Sequence, residues 1–199
     1  MSRKSIPNAD KKILEEVIRE TYRYGVAMIS TKKVAKHLHI SEPVIFAHFK
    51  TKQHLIDQCF AYAWNKIPGG DFFPSAEMKS NDPSVALRYL EQAKEVLAYP
   101  KELVFCDAYY HSSYFHPDYA YQVMAVTIDE LIPIFASYQT GRSVEQRRLM
   151  VVRYLENMVA DLAQIARGIV PNSEENLHVA IGSLLFGTYG LLTQYKGVR

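Results

Sequence analysis

The feature that most constrains the fold of this chain is a pair of short predicted helices joined by a tight turn. The first is predicted over residues 32–38 with Thr31 as its N-cap, and the second over 42–49 with Ser41 as its N-cap. Ala35 is the small residue expected where two such helices cross. The apolar positions that would hold their angle are Val34, Leu38, Ile40, Ile45 and Phe49. This pattern predicts a helix-turn-helix, whose second helix presents its outward side to a major groove.

The charge of the chain is concentrated in the same region. Residues 1–54 contain eleven Lys or Arg against five Asp or Glu, a balance of +6. Residues 55–199 contain twelve against sixteen, a balance of −4. A small basic module on an acidic body favours a polyanionic partner for that module, and an ordinary solvated charged face is the alternative.

Further helices are predicted on both sides of this motif. One covers residues 10–24 and ends at Gly25, and another covers 52–65 after Thr51 as its N-cap. The helix over 10–24 would complete a three-helix domain, and the helix over 52–65 would connect that domain to the rest of the chain.

These residues together resemble the DNA-binding motif of the TetR (tetracycline-repressor-like) family of transcriptional regulators. The family pattern is Thr-x-x-(Ile/Val)-Ala, a turn ending near Ser, an apolar–aromatic pair, and His-Phe-x-x-Lys. The matching positions are Thr31, Val34, Ala35, Ile40, Ser41, Ile45, Phe46, His48, Phe49 and Lys52. The resemblance implies a homodimeric regulator, expected to be a repressor that a small molecule releases from double-stranded operator DNA. A DNA-binding regulator or architectural protein without an effector is the alternative.

Two residues depart from the family pattern. His39 stands at a turn position where the family usually has Gly, and histidine tolerates left-handed backbone better than most residues. Phe46 stands where the family usually has Tyr, whose hydroxyl contacts a phosphate. We therefore expect one phosphate contact to be lost at Phe46.

The resemblance also assigns roles within the motif. Thr31, His48 and Lys52 are expected near phosphates, together with the backbone N–H groups that open the helix at Lys52. Lys32 could donate to guanine and Glu42 could accept from cytosine. The complete predicted DNA-binding set is Thr31, Lys32, Ser41, Glu42, Pro43, Val44, Phe46, Ala47, His48 and Lys52. For each base-edge residue taken singly, an exposed helix position without DNA contact is the alternative.

Helical periodicity continues through the rest of the chain, so the predicted fold class is all-α. Further helices are predicted over 83–98, 101–114, 117–138, 144–168 and 174–195. A loop is expected between residues 68 and 83, and a kink at Pro133. The predicted domains are 1–54, which binds DNA, and 55–199, which binds the ligand and dimerises, linked through the helix over 52–65.

The middle of the chain is rich in aromatic residues, which suits a pocket for an aromatic or apolar effector. The predicted ligand-binding group is Phe105, Tyr109, Tyr110 and Tyr114, with Tyr89, Met124 and Met158 as additions. A core that uses tyrosine for packing is the alternative for each.

The last two predicted helices are apolar around much of their circumference. The resemblance implies that they pair with their mates as a four-helix bundle. The predicted dimer contacts are Leu155, Leu162, Ile181, Leu185, Phe186, Thr188 and Leu192. Burial inside one monomer is the alternative.

Other signals are weak, and we predict no enzymatic activity, catalytic residue, cofactor or metal site. Glycine-rich phosphate loops and nucleophile elbows are missing from the sequence. Asp107 and His111 lie four residues apart and are expected to form an ion pair. Cys59 and Cys106 are expected to be buried thiols in a reducing cytoplasm. Neither a signal peptide nor a membrane span is predicted, so no membrane partner is expected.

Overall fold

The computed structural model describes residues 8–68, 91, 93–138 and 141–185, and every regular element in these ranges is helical. The α-helices are α1 (Ala9–Tyr24), α2 (Thr31–His37), α3 (Glu42–Phe49), α4 (Lys52–Lys66), α5 (Pro100–Tyr110), α6 (Pro117–Val123), α7 (Ala125–Tyr138), α8 (Val144–Ala166) and α9 (Glu174–Leu185). A short 3₁₀ helix, Val26–Met28, connects α1 to α2. The all-α fold class is confirmed.

The N-terminal helices form because their apolar residues share one face. On α1 the residues Ile13, Val17 and Ile18 are almost completely buried, as the helical spacing predicts. Gly25 ends α1 with a φ of 83°, a left-handed backbone that glycine adopts without steric cost. Thr51 caps α4 as predicted, since its hydroxyl accepts a hydrogen bond from the N–H of His54 at 3.0 Å.

The start of α2 differs from the prediction by one residue. Ser30 is the N-cap, and its hydroxyl accepts from the N–H of Lys33 at 3.4 Å. Thr31 is the first helical residue, and its side chain is free to turn towards α3 instead. Serine and threonine are both common N-cap residues, so residue type alone did not show whether Ser30 or Thr31 caps this helix.

Helix α5 occupies the centre of the body. It packs against α1 and α4 on one side and against α8 on another. The buried side chains form one continuous cluster that extends from the N-terminal helices into the body. Helix α4, which follows the helix-turn-helix pair, is therefore packed directly on the body.

Two helix boundaries in the body differ from the sequence prediction. Helix α5 ends at Tyr110, where the Ser112 hydroxyl donates to the Tyr109 carbonyl at 2.8 Å and so competes with further helix bonding. The helix predicted over 117–138 is interrupted at Met124, and Pro133, where a kink is expected, lies inside α7. Met124 is completely buried, and its carbonyl accepts from Ile128 at 2.9 Å, so the bonding continues across the junction.

Local contacts define the beginning and the end of α8. Ser143 and Gln146 form a reciprocal capping box, with bonds of 3.2 Å and 3.0 Å. Gly168 follows the helix with a φ of 71°. Within the described ranges, no helix combines the length and the apolar character that crossing a membrane requires.

Candidate nucleic-acid interface

Helix α3 has a buried inner face and an accessible outer face. Ile45 is completely buried and Phe49 is 4% exposed, so these two side chains anchor the helix. Pro43 and Ala47 are exposed on the other side, and Val44 is half-buried. A base edge could therefore reach the side of the helix that carries the predicted base contacts.

The turn before α3 has the left-handed backbone expected at the position where the family pattern has glycine. His39 has a φ of 54°, and the N–H of Ile40 donates to the Ala35 carbonyl at 3.0 Å. Ala35 is 3% exposed and lies where α2 and α3 approach each other. The side chain of Ser41 makes no capping bond, because Pro43 lacks an N–H and that of Val44 donates to the Ser41 carbonyl.

Two of the predicted DNA-binding side chains are bonded to each other. The Thr31 hydroxyl donates to Oε1 of Glu42, which joins the beginning of α2 to the beginning of α3. Thr31 is buried and Glu42 is half-buried. This bond holds the Glu42 carboxylate in one orientation and leaves its second oxygen available to a donor such as a cytosine amino group.

The other two predicted phosphate contacts also have protein partners. Nδ1 of His48 pairs with the Asp10 carboxylate, which leaves Nε2 as the ring nitrogen for a phosphate. Nζ of Lys52 lies 5.1 Å from the centre of the Tyr114 ring. Lys32 is exposed at the beginning of α2, and Phe46 is half-buried on α3.

A polar network connects α4 to the body, and no sequence pattern indicated it. Asp57 of α4 is buried and accepts from the Tyr109 hydroxyl at 2.8 Å, while Nδ1 of His116 lies 3.3 Å from its other oxygen. Gln53 donates to the Tyr114 carbonyl at 2.7 Å. An isolated Asp on a helix has no spacing signature, so only the folded contacts reveal its role.

The aromatic residues predicted to bind ligand differ in how deeply they are buried. Phe105 and Tyr109 have no exposed surface, and Tyr109 stacks on Phe60 with ring centres 4.6 Å apart. Burial, followed by the hydrogen bond to Asp57, raises the pKa of Tyr109 above its usual value, so the phenol stays protonated and donates. Both residues belong to the core, and Tyr109 contributes to the contact between α4 and α5.

The remaining aromatic candidates are nearer the surface. Tyr110 and Tyr114 are half-buried, and the Tyr110 hydroxyl donates to Sδ of Met124 at 2.8 Å. Burial raises the pKa of Tyr110 as well. Met124 is completely buried and Met158 is 4% exposed. Tyr89 lies outside the described residues.

The predicted dimer contacts on α8 stay a prediction. Leu155 and Leu162 have no exposed surface within a single chain, which favours the alternative of burial inside one monomer. They pack inwards because the apolar stripe of α8 covers its own domain. Ile181 and Leu185 belong to α9, but their side chains, like Phe186, Thr188 and Leu192, lie outside the described residues.

The smaller sequence predictions in the body have clear outcomes. Cys59 and Cys106 are buried free thiols, and burial raises the pKa of both. Nδ1 of His111 lies 3.3 Å from the Asp107 carboxylate as the expected ion pair. His116 is the N-cap residue of α6.

Comparison with known proteins agrees with this architecture. Residues 13–59 match the family model described as "Bacterial regulatory proteins, tetR family". A search of curated protein sequences found no significant match.

Several solved structures share the fold. A TetR family transcription regulator from Marinobacter aquaeolei VT8 has a TM-score of 0.59 and 16% identity, over 88% of this chain and 93% of that one. A TetR-like transcriptional regulator from Rhodococcus sp. RHA1 has a TM-score of 0.58 and 17% identity, over 93% and 98% of the two chains. At these identities the likeness establishes the fold of the body.

Proposed function

We propose that the chain is a repressor of the TetR family which a small molecule releases from operator DNA, because residues 13–59 match the model of that family. The DNA-binding part of this proposal rests on the orientation of α3. Its inner residues Ile45 and Phe49 are buried, and its outer residues Pro43 and Ala47 are exposed. An α-helix held in this way fits the width of a major groove.

Selection from genomic DNA can identify the operator. Purified full-length protein would be mixed with fragments of its own genome, and bound fragments would be sequenced at two salt concentrations. We expect an enriched palindrome whose half-sites lie about one helical turn apart, or a multiple of it, because two recognition helices would be related by a two-fold axis. Recovery of unrelated fragments with no shared sequence would favour the architectural alternative.

Coupling between an effector and DNA is supported by the position of α4. The helix begins directly after the recognition helix, and its residues Gln53, Asp57 and Gln58 are hydrogen-bonded to the body. A ligand that moves α5 or α6 would pull on α4 and change the separation of two recognition helices. Reciprocity then requires operator DNA to weaken effector binding by the same factor.

The effector region that we propose lies around Tyr110, Tyr114 and Met124. Tyr110 and Tyr114 are half-buried and keep polar atoms beside apolar surface, a combination typical of small-molecule sites. Thermal denaturation in the presence of a panel of aromatic and apolar compounds is the direct test. A binder should raise the melting temperature of the wild type and have a smaller effect on Tyr110→Ala.

Homodimerisation is part of the proposal. The exposed apolar residues of the last two described helices include Leu149 on α8 and Val179 on α9, which are 54% and 52% exposed. A second copy of the chain would cover them, and it would supply the second recognition helix.

A regulator without an effector remains the second candidate. The observation that favours it is the tight packing of Phe105 and Tyr109, two of the predicted ligand residues. Equal operator affinity with and without every compound that stabilises the protein would support this candidate.

A further inference from the structure

Two acidic side chains of α1 are buried where this helix meets α2. Glu16 and Glu20 lie one helical turn apart, and they are only 6% and 4% exposed. Ionised carboxylates are costly to bury unless positive charge and hydrogen bonds compensate them. The neighbours of these two groups therefore decide what the site can do.

The protein supplies incomplete compensation. Arg19 pairs with Oε2 of Glu16. Nδ1 of His37, the last residue of α2, lies 2.8 Å from Oε1 of Glu16 and 3.6 Å from Oε1 of Glu20. Oε1 of Glu20 is buried and has no hydrogen-bond partner among the residues that the structure describes. A cation bound between this acceptor, the imidazole of His37 and the carboxylate of Glu16 would satisfy it.

We propose that Glu16, Glu20 and His37 bind a divalent transition-metal ion of the zinc class. Their three ligand atoms all lie within 4.8 Å of one another. Tetrahedral ligands about 2.1 Å from zinc are about 3.4 Å apart, so Nδ1 of His37 and Oε1 of Glu16, which lie 2.8 Å apart, would have to separate by about 0.6 Å to accommodate the ion. The imidazole selects zinc-like ions over magnesium or calcium, which prefer oxygen ligands alone.

The site has a route for the ion and an open coordination position. The side chain of His37 is 42% exposed, so water can reach the cluster from one side and complete the coordination. The two carboxylates belong to α1 and the imidazole belongs to α2. Because α2 packs on α3, a bound ion would fasten the helix that supports the recognition helix. Metal binding would therefore affect DNA binding independently of any effector bound in the body.

Sequence reasoning missed this site because its ligands have no familiar spacing. Glu16 and Glu20 are four residues apart on a helix otherwise interpreted as an apolar stripe, and His37 belongs to a different helix. Only the packing of α1 on α2 brings the three together.

Calorimetric titration of Zn²⁺ into chelator-treated full-length protein tests the proposal, with Co²⁺ as a spectroscopic probe of coordination. We expect one tight site per chain, an intense visible Co²⁺ spectrum and a higher melting temperature with metal. His37→Gln and Glu20→Gln should each weaken binding by more than about tenfold. His111→Gln and Glu15→Gln are matched controls on exposed residues outside the cluster and should bind like the wild type.

Folding of the variants is checked separately. Glu20→Gln keeps the side-chain shape and removes a buried charge, so the metal-free variant should be at least as stable as the metal-free wild type. Its melting temperature should then no longer respond to metal. The proposal is overturned if the wild type does not bind Zn²⁺, or if folded His37→Gln and Glu20→Gln bind it as tightly as their controls.

Discussion

At the scale of single residues, the side of the molecule that we propose to face DNA is held in place by contacts within the chain. Thr31 is bonded to Glu42, and His48 is paired with Asp10. Side chains fixed in this way lose less conformational entropy when they meet a duplex. The motif in the sequence identified these residues but not their partners, because hydrogen bonds between helices depend on how the helices pack.

The Thr31–Glu42 bond should contribute to stability. Thr31→Val keeps the shape of the side chain but removes the donor, so the half-buried Glu42 carboxylate loses its partner. We expect a loss of about 1–2 kcal/mol in the free energy of unfolding, measured by urea denaturation. Thr31→Ser retains a hydroxyl and should lose less. Equal stability of the valine and serine variants would show that the bond contributes nothing.

Lys52 should contribute to affinity without contributing to sequence preference. Lys52→Ala is expected to weaken binding to all DNA sequences alike and to reduce the slope of log affinity against log salt by about 0.9. Lys101→Ala, an exposed lysine of the body, is the control. An unchanged salt slope would mean that Lys52 stays over the Tyr114 ring in the complex.

At the scale of helices, α4 and α5 form the contact that joins the two parts of the molecule. Tyr109 of α5 donates to Asp57 of α4 and also stacks on Phe60. The periodicity of the sequence predicted both helices, and their boundaries were close to those observed. The exception is the end of α5, where the Ser112 hydroxyl bonds to the Tyr109 carbonyl, a contact that periodicity does not register.

The buried phenol of Tyr109 predicts how stability changes at alkaline pH. Burial raises the pKa of Tyr109 in the folded state, whereas the unfolded chain has the ordinary value of about 10. Only the unfolded state loses this proton just above that pH, so stability should fall as pH rises. Tyr109→Phe should show a shallower fall in urea denaturation between neutral and alkaline pH.

An exposed tyrosine provides the comparison for this measurement. Tyr22 of α1 is 38% exposed, and Tyr22→Phe is the control that removes a phenol outside the core. If the free energy of unfolding of Tyr109→Phe fell with pH as steeply as that of Tyr22→Phe and the wild type, the Tyr109 phenol would not be responsible for the loss of stability at alkaline pH.

At the scale of the whole molecule, the sequence predicted the all-α fold class more reliably than it predicted which surfaces are exposed. The apolar stripe of α8 was interpreted as a dimer contact, yet Leu155 and Leu162 are buried in their own chain. Core and interface residues have the same apolar character, so one sequence cannot separate them. Exposure within the folded chain does separate them, and it makes Val179 on α9 a candidate interface residue.

Dimer formation should be sensitive to Val179. Val179→Asp places a charge on an exposed apolar position of α9 and is expected to shift the protein towards monomer in sedimentation experiments. Val126→Asp, at a position of α7 that is 72% exposed, is the matched control. Unaltered dimerisation in Val179→Asp, or a monomeric wild type, would contradict the proposed interface.

The central claim is that the outward face of α3 enters the major groove, and Ala47→Glu tests it most directly. Fluorescence anisotropy would measure affinity for a DNA fragment selected by the wild type, with Gln122→Glu adding the same charge to an exposed site on the body. We expect Ala47→Glu to bind at least about tenfold more weakly, since charge repulsion and lost base contact act together, and Gln122→Glu to bind like the wild type. If both variants bound as tightly as the wild type, α3 would not be the element that reads DNA.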